Sequence, residues 1–581
     1  MIKEPRGPKG PTRKMRNRLF ICVMPIVFLL FSVVLANVGY IAVVNNDFYQ
    51  NKATQQQLRD VTVNANRGTI YDCNMNVLAQ SVTVWTVFIS PADIEDDEER
   101  ETICSGLSEI LGVDRETIYQ KSQKSNYYEV IARKIDKDKA DEVRQFVTDT
   151  DVGAVHLIED TKRSYPYGNF ASTVIGFTGD DNQGLYGIEA EYDEELSGTP
   201  GRIVAAKNAK GTDMPFQYEK YYDPQDGNSL VLTIDEVIQH FLEQALEDTV
   251  ATHLVENRAA GIVMDVNTGE ILAMATKPDF DLNDPFTIAD SATLEAINAL
   301  PEDQRKEALS NARELQWKNK AITELYEPGS VFKVVTGSAA LEEKTVSLET
   351  TFNCSGSIQV PGYERPIKCW KTSGHGVQNF IQAMVNSCNP AFVTVGSSLG
   401  AETFCDYVRA FGFMERTGID LPGEADSIVY NADQMGPVEL ASCSFGQSNK
   451  ITPIQMITAI AAAVNGGKVV EPHVVKQILD QDGNVVKTVD TTVKRQVLSE
   501  ETSATMRSVL EQVVKDNGNA YIPGYRIGGK SGTAQKLDSN DDTAYISSFT
   551  AFAPADDPQI AILVIVDTPV SYTHLFRPDG N

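Results

Sequence analysis

The sequence predicts an α+β protein: a single N-terminal transmembrane helix, an extended mixed α/β module, and a larger module with one antiparallel sheet flanked by helices. Three observations predict it. A long uncharged run follows a basic N-terminal segment, two apolar runs surround Asn267-Thr268-Gly269, and three strand-like runs near the C-terminal end are separated by short polar breaks. Between the two groups of strands the pattern is mostly helical.

The first element rests on charge and length. Lys3, Arg6, Lys9, Arg13, Lys14, Arg16 and Arg18 stand against the single acid Glu4, and Leu19 to Val44 then carries no charge at all. Such a run is long enough to span a bilayer as a helix, and the basic flank places the N-terminus in the cytoplasm with the rest of the chain outside. A cleaved signal peptide is the alternative; the run exceeds a usual signal core and no small-x-small site follows, so a retained anchor is expected. Residues 1–18 are thus a basic tail and 19–44 the membrane helix.

Residues 45–222 read as the extended module. "RGTIYDCNMNVLA" (Arg67 to Ala79) has two short runs around a polar turn, a hairpin pattern, and "YYDPQDGNS" (Tyr221 to Ser229) is a polar Pro/Gly break that sets the boundary. Beyond it "LVLTID" and "EVIQHFLEQALEDTV" predict a strand and an amphipathic helix, and "AAGIVMDVNTGEILAMAT" (Ala259 to Thr276) a hairpin. "GGKSGTAQKL", "AYISSFTAFA" and "QIAILVIVD" predict an antiparallel meander within a module that spans 223–568.

At 581 residues the chain exceeds one compact core. A net charge of -29 excludes a basic nucleic-acid footprint, so no nucleic-acid partner is expected. Eight cysteines are too few for a disulfide scaffold of this size. Cys354 and Cys369 lie in one polar excursion, where a bridge and two free thiols are both compatible with the sequence. No CxxC pair and no His/Cys cluster with zinc spacing appears, which predicts no metal.

The chemistry starts at "ELYEPGSVFKVVT" (Glu324 to Thr336). Pro328 and Gly329 suit a turn into a helix, so Ser330 falls in a first turn and Lys333, three residues on, shares its face. The helix start would stabilise an oxyanion beside Ser330, and Lys333, desolvated by its apolar neighbours, would accept the serine proton. One such match is weak, because about two S-x-x-K matches are expected by chance in a chain of this kind. An isolated match is better read as a helix cap with a solvated lysine.

Two further stretches change that reading. "MVNSCNPAF" (Met384 to Phe392) offers Ser387 and Asn389. Pro390 pushes Asn389 toward extended geometry, so that a turn can aim both side chains into one cleft. Alone, an ordinary Asn-Pro turn is the preferred reading. "GGKSGTAQK" (Gly528 to Lys536) offers Lys530, Ser531, Gly532 and Thr533 on a strand narrow enough for a peptide to lie alongside; its bland reading is a bulged edge strand. In the order S-x-x-K, S-x-N, K-S-G the three match the serine acyl-transferase signature of penicillin-binding proteins and class A β-lactamases, with Ser-Cys-Asn in place of Ser-Asp-Asn.

The chain resembles a class B penicillin-binding protein of the division or sporulation transpeptidase type. The resemblance includes "RGTIYD", "RSYPYG", "GIEAEYDEELSG", "GIVMDVNTGEILAMA", "NKAITELYEPGSVFK" and "SFGQSNKITPIQ", and the N-terminal pieces set it apart from β-lactamases. Cys73 and Asn76 replace the Arg and Gly usual in the first of these. The resemblance implies a pedestal, dimerisation-like domain over 45–222 and a penicillin-binding transpeptidase domain over 223–568. It implies a D,D-transpeptidase that cross-links peptidoglycan stem peptides, a donor D-Ala-D-Ala and an amine acceptor, without a cofactor. Ser330 would be the nucleophile, Lys333 its base, and Ser387 with Asn389 the proton relay and positioning pair. Lys530, Ser531, Gly532 and Thr533 would bind the substrate carboxylate, with Ser330 and Thr533 N-H groups as oxyanion hole. β-Lactams would bind covalently. The implied setting is the bacterial plasma membrane, single-pass, with a membrane glycan polymerase and division or sporulation proteins as partners.

Rival expectations are a carboxypeptidase or β-lactamase-type hydrolase on this scaffold, and a membrane-anchored division scaffold with secondary catalysis. His375, in "SGHGVQNF", is expected to serve its glycine-rich loop, since a lysine-base scheme needs no histidine. The tail "PVSYTHL" resembles the translation of a sequencing-library adapter, so residues 569–581 are expected to be artefactual and the second domain C-terminally truncated.

Overall fold

The computed structural model describes residues 13–39, 58–63, 65–206, 220–518, 520–536 and 544–569. The predicted tail 569–581 lies outside them except for Pro569, which bridges Val255. Arg13–Gly39 forms one helix. Some of its side chains are outside the description, and among what is described no helix is long and apolar enough to cross a membrane.

The chain divides into two compact units. The smaller takes in residues 1–65 and 199–225, and its described strands Leu58–Val63, Gly201–Ala206 and Lys220–Tyr222 pair antiparallel. The larger comprises 66–198 and 226–581.

In the larger unit the hairpin expected around Arg67 to Ala79 forms from Ile70–Tyr71 and Val77–Ile89. Asp72 closes its turn by accepting from the backbone N-H groups of Asn74 and Asn76 at 2.8 and 2.7 Å. Val77–Ile89 is long enough to pair with both Glu129–Ile135 and Val155–Ser164. Helices Asp97–Leu111 and Lys137–Thr150 send Ile103, Leu107 and Val143 into a separate core against that sheet.

The main sheet joins hairpin and meander. We label α1 Glu236–His253, β1 Ala259–Asp265, β2 Ile271–Lys277, α2 Lys333–Glu342, α3 Asn389–Leu399, α4 Pro453–Val464, α5 Glu500–Asn517, β3 Gly528–Gln535, β4 Tyr545–Ala553 and β5 Ile560–Asp567. The strand order is β2-β1-β5-β4-β3, all antiparallel, with Ile560 opposite Asp265 where meander meets hairpin. Leu242 and Leu246 of α1 pack on one face with Val263 and Ala273. On the other, all twelve residues of α4 are buried, as befits a helix apolar on every side. α2 is buried from Lys333 to Ala340, so the expected helix after Ser330 runs through the core, and its lysine is desolvated by the fold itself.

Candidate active site

Ser330 lies in a 3-10 turn, Gly329–Phe332, that runs directly into α2. The backbone enters it through Gly329 at φ 55, a left-handed value that glycine adopts without cost. The turn is clamped from two sides. The Gly329 N-H donates to the Gly446 carbonyl at 3.0 Å, and a Cβ on Gly446 would stand 2.0 Å from the Gly329 oxygen. A Cβ on Gly532 of β3 would lie 2.8 Å from the Pro328 oxygen, so β3 presses directly on the turn. This gives Gly446, in the "SFGQSNK" stretch, a structural purpose that its sequence context did not disclose.

Lys333 is fully buried, and its Nζ lies 2.9 Å from Ser330 Oγ, 2.8 Å from the Ser387 carbonyl, 2.8 Å from Asn389 Oδ1 and 3.2 Å from Ser387 Oγ. The Ser387 carbonyl and the Asn389 amide oxygen can only accept hydrogen bonds. They claim the two N-H bonds of a neutral amine and leave its lone pair for the hydroxyl of Ser330. Burial, with repulsion from Lys530, pushes Lys333 well below the ordinary lysine range.

Ser387 takes a left-handed backbone, φ 47, unusual for a residue with a side chain, and this turns its carbonyl toward Lys333. The extended residue of the motif is Cys388, at φ -74 and ψ 111, while Asn389 already begins α3. That corrects the expected extended Asn389: Pro390 sits where a helix tolerates proline, and the chain turns one residue earlier. The Asn389 amide is oriented by its Nδ2, which donates to the Lys368 carbonyl at 3.4 Å.

On β3, Lys530 is buried, donates to the Ser531 carbonyl at 2.8 Å and is lowered by burial to about 7. Ser531 is half-buried and Thr533 exposed. The structure therefore brings Ser330, Lys333, Ser387 and Asn389 into one hydrogen-bonded group, and sets Lys530 to Thr533 along the adjoining strand. A groove of about 440 Å³, lined by Glu327, Tyr430, Ser448 and Lys450 among others, starts three residues before Ser330.

The family described as "Penicillin binding protein transpeptidase domain" matches residues 259–575, and "Penicillin-binding Protein dimerisation domain" matches 62–232. The chain belongs to the class B penicillin-binding proteins. This penicillin-binding protein is 36% identical over 563 residues to Stage V sporulation protein D of Bacillus subtilis (strain 168), covering 95% of this chain and 82% of that one. It is 25% identical over 564 residues to Peptidoglycan D,D-transpeptidase FtsI of Escherichia coli (strain K12), covering 94% and 86%. The solved structure of Penicillin Binding Protein 2X from Streptococcus thermophilus resembles it with a TM-score of 0.71 at 24% identity, over 90% of this chain and 79% of that one, a likeness of fold.

One cluster in this penicillin-binding protein runs against the sequence reading. Spacing alone predicts no His/Cys group, yet the donor atoms of Cys354, Cys369, His375 and Cys388 all lie within 4.8 Å of one another. The seven described cysteines are free thiols. Cys369 is held below the usual thiol range, first by the hydrogen bond from Cys388, whose own value is pushed up. His375 is thus a member of a side-chain cluster and not only of its loop. The signal was invisible because the four side chains come from separate elements and meet only through the fold.

Proposed function

We propose that this penicillin-binding protein is a serine D,D-transpeptidase that cross-links peptidoglycan stem peptides through an acyl-enzyme on Ser330. The observation that carries the reading is the Lys333 amine, buried 2.9 Å from Ser330 Oγ with two obligate acceptors on its other side. Lys333 takes the Ser330 proton as Oγ attacks the carbonyl of the penultimate D-Ala. The new bond is an ester; the broken one is the D-Ala-D-Ala amide, and the proton returns to the departing amine through Lys333 and Ser387. The amine of a second stem then attacks the ester and frees Ser330.

Asn389 positions Lys333 and the substrate amide. Lys530, Ser531 and Thr533 hold the terminal carboxylate, Gly532 keeps the strand close to the turn, and the N-H groups of Ser330 and Thr533 receive the oxyanion. β-Lactams acylate Ser330 as donor mimics. The finer setting belongs to the same reading. Residues 19–44 anchor the chain in the plasma membrane with 1–18 in the cytoplasm, 45–222 form a pedestal, and 223–568 carry the catalysis outside, beside a glycan polymerase and division or sporulation proteins. The sporulation context is supported by the name of the Bacillus subtilis relative.

Labelling with a fluorescent β-lactam followed by peptide mapping tests the assignment. The label is expected on the peptide containing Ser330 and absent from Ser330→Ala; a label elsewhere sinks it. With a D-Ala-D-Ala thioester donor, added amine is expected to divert the product from hydrolysis to a new amide.

A further inference from the structure

We propose that Cys354, Cys369, His375 and Cys388 form a tetrahedral zinc site, three thiolates and one imidazole, built into the wall of the acylation site. A tetrahedral zinc with Zn-S near 2.3 Å and Zn-N near 2.0 Å sets its ligand atoms roughly 3.5–3.8 Å apart. Cys369 Sγ and His375 Nδ1 already stand 3.6 Å apart, and no pair in the group exceeds 4.8 Å. Small side-chain rotations close the remainder.

The donors are presented by four different local structures. Cys354 ends the strand Thr351–Cys354, Cys369 follows Ile367–Lys368, His375 precedes Gly376–Asn379, and Cys388 caps α3. The three sulfurs are almost wholly buried. His375 turns its Nδ1 toward Cys369 Sγ and its ring edge-on to Trp370 at 5.3 Å, while its buried Nε2 has no hydrogen-bond partner among the described residues. Two glycines let the backbone fold this tightly: a Cβ on Gly356 would stand 2.0 Å from the Thr372 oxygen, and one on Gly374 2.3 Å from the Cys354 oxygen. A disulfide would use two sulfurs and strand a buried thiol beside a half-buried imidazole. A metal uses all four.

Binding is balanced by proton release: three thiols and a neutral imidazole take up Zn²⁺ and give up three H⁺, leaving a centre of charge -1. Four protein ligands leave no open position, so the metal is structural and takes no part in acyl transfer. It pins Cys388, and with it the neighbouring Ser387 carbonyl and Asn389 amide that hold Lys333. The metal site stands independently of the acylation reading; only its effect on Ser330 rests on that reading.

The test uses the full chain in detergent, purified under reducing conditions without chelator. About one zinc per chain is expected by elemental analysis. Replacement by cobalt is expected to give the thiolate charge-transfer and ligand-field bands of a tetrahedral sulfur-rich site. Cys354→Ser and His375→Ala are expected to hold less than about a tenth of that zinc, while Ser330→Ala keeps it in full and loses only β-lactam labelling. Chelation of the wild type is expected to release zinc and slow labelling by about tenfold or more. Absence of zinc and of a cobalt band in folded, reduced wild-type protein overturns the proposal, as does a Cys354–Cys369 disulfide in protein purified without reductant that carries no metal. Full zinc with no labelling of wild type would instead sink the acylation reading and leave the site standing.

Discussion

At the residue scale the governing fact is that two lysines, Lys333 and Lys530, are both buried, and that burial first and the charge of Lys530 second disfavour a charged Lys333. In the proposed reaction Lys333 is a base only when neutral, and its lowered pKa makes it neutral at lower pH than an ordinary lysine. Acylation by a β-lactam of constant charge is therefore expected to rise with pH and level off well below 10.5. Lys530→Gln removes the neighbouring charge, so the midpoint of that limb should move to higher pH; an unmoved midpoint would mean that burial alone sets it. Linkage has the same sign for stability. Between about 7 and 10.5 the unfolded chain binds a proton at Lys530 that the folded chain does not, so folding gains with pH across that window. A steric prediction stands beside these. Gly446→Ala places a methyl 2.0 Å from the Gly329 oxygen at a backbone φ of 85, and is expected to cost about 2 kcal/mol or more and to slow acylation at least tenfold by shifting the Ser330 turn. Urea unfolding and stopped-flow labelling check the two halves.

At the scale of elements, one carboxylate fastens the strand that carries Lys530 to the segment that carries Ser330. Asp567, the last residue of β5, accepts from Lys536 just beyond β3 at 2.8 Å, from Lys320 at 3.0 Å and from Asn257 at 2.8 Å. Lys320 opens the short helix Lys320–Thr323 that leads into the Ser330 turn. Burial alone would raise the Asp567 pKa, yet Lys320 and Lys536 together hold it below its usual value. Its contribution is thus present above the ordinary carboxylate pKa and is lost as pH falls through the lowered one. Asp567→Asn leaves two lysines facing a neutral amide and is expected to cost about 3–5 kcal/mol by urea unfolding at pH 7, with much less difference from wild type at pH 3. Much of this scaffold was legible beforehand, because hairpins announce themselves locally: Asn267-Thr268-Gly269 between apolar runs needs no distant partner to be read. The three signature segments were legible for the same reason. What escaped is what depends on distant partners. The chain from Thr351 to Asn379 folds into two short strand pairs that bring Cys354, Cys369 and His375 to Cys388, and no local periodicity records that meeting.

On the scale of the whole molecule, two sequence stretches far from Ser330 converge on Glu189 of "GIEAEYDEELSG", which has no exposed surface. Arg67 of "RGTIYD" meets it at 2.5 Å, Arg163 of "RSYPYG" at 2.6 Å, and the hydroxyl of Tyr165 in the same stretch donates at 3.3 Å. Arg67 also reaches Asp193 at 2.5 Å, and Arg163 the Gly68 carbonyl at 2.8 Å. Nearby, Phe177 and Tyr186 pack at tilted angles against Trp317, the last residue of the helix Glu302–Trp317. The base of the 66–198 segment is therefore part of the same packed body as the sheet, and its charges are buried with it. A buried pair is expensive to break, since removing one partner strands the other charge away from water. Glu189→Gln leaves the buried guanidinium of Arg163 without its carboxylate and that of Arg67 with Asp193 alone, and is expected to lower unfolding free energy by about 3–5 kcal/mol. Arg67→Lys should recover little, because a single ammonium cannot serve Glu189 and Asp193 with the fork that a guanidinium presents. None of these partners touches Ser330 or Lys333, so the acylation rate per folded molecule is expected to stay within about twofold of wild type while the urea midpoint falls. A Glu189→Gln protein that unfolds like wild type, or one that keeps its stability and loses acylation, would show that this buried carboxylate is not the keystone the geometry makes it.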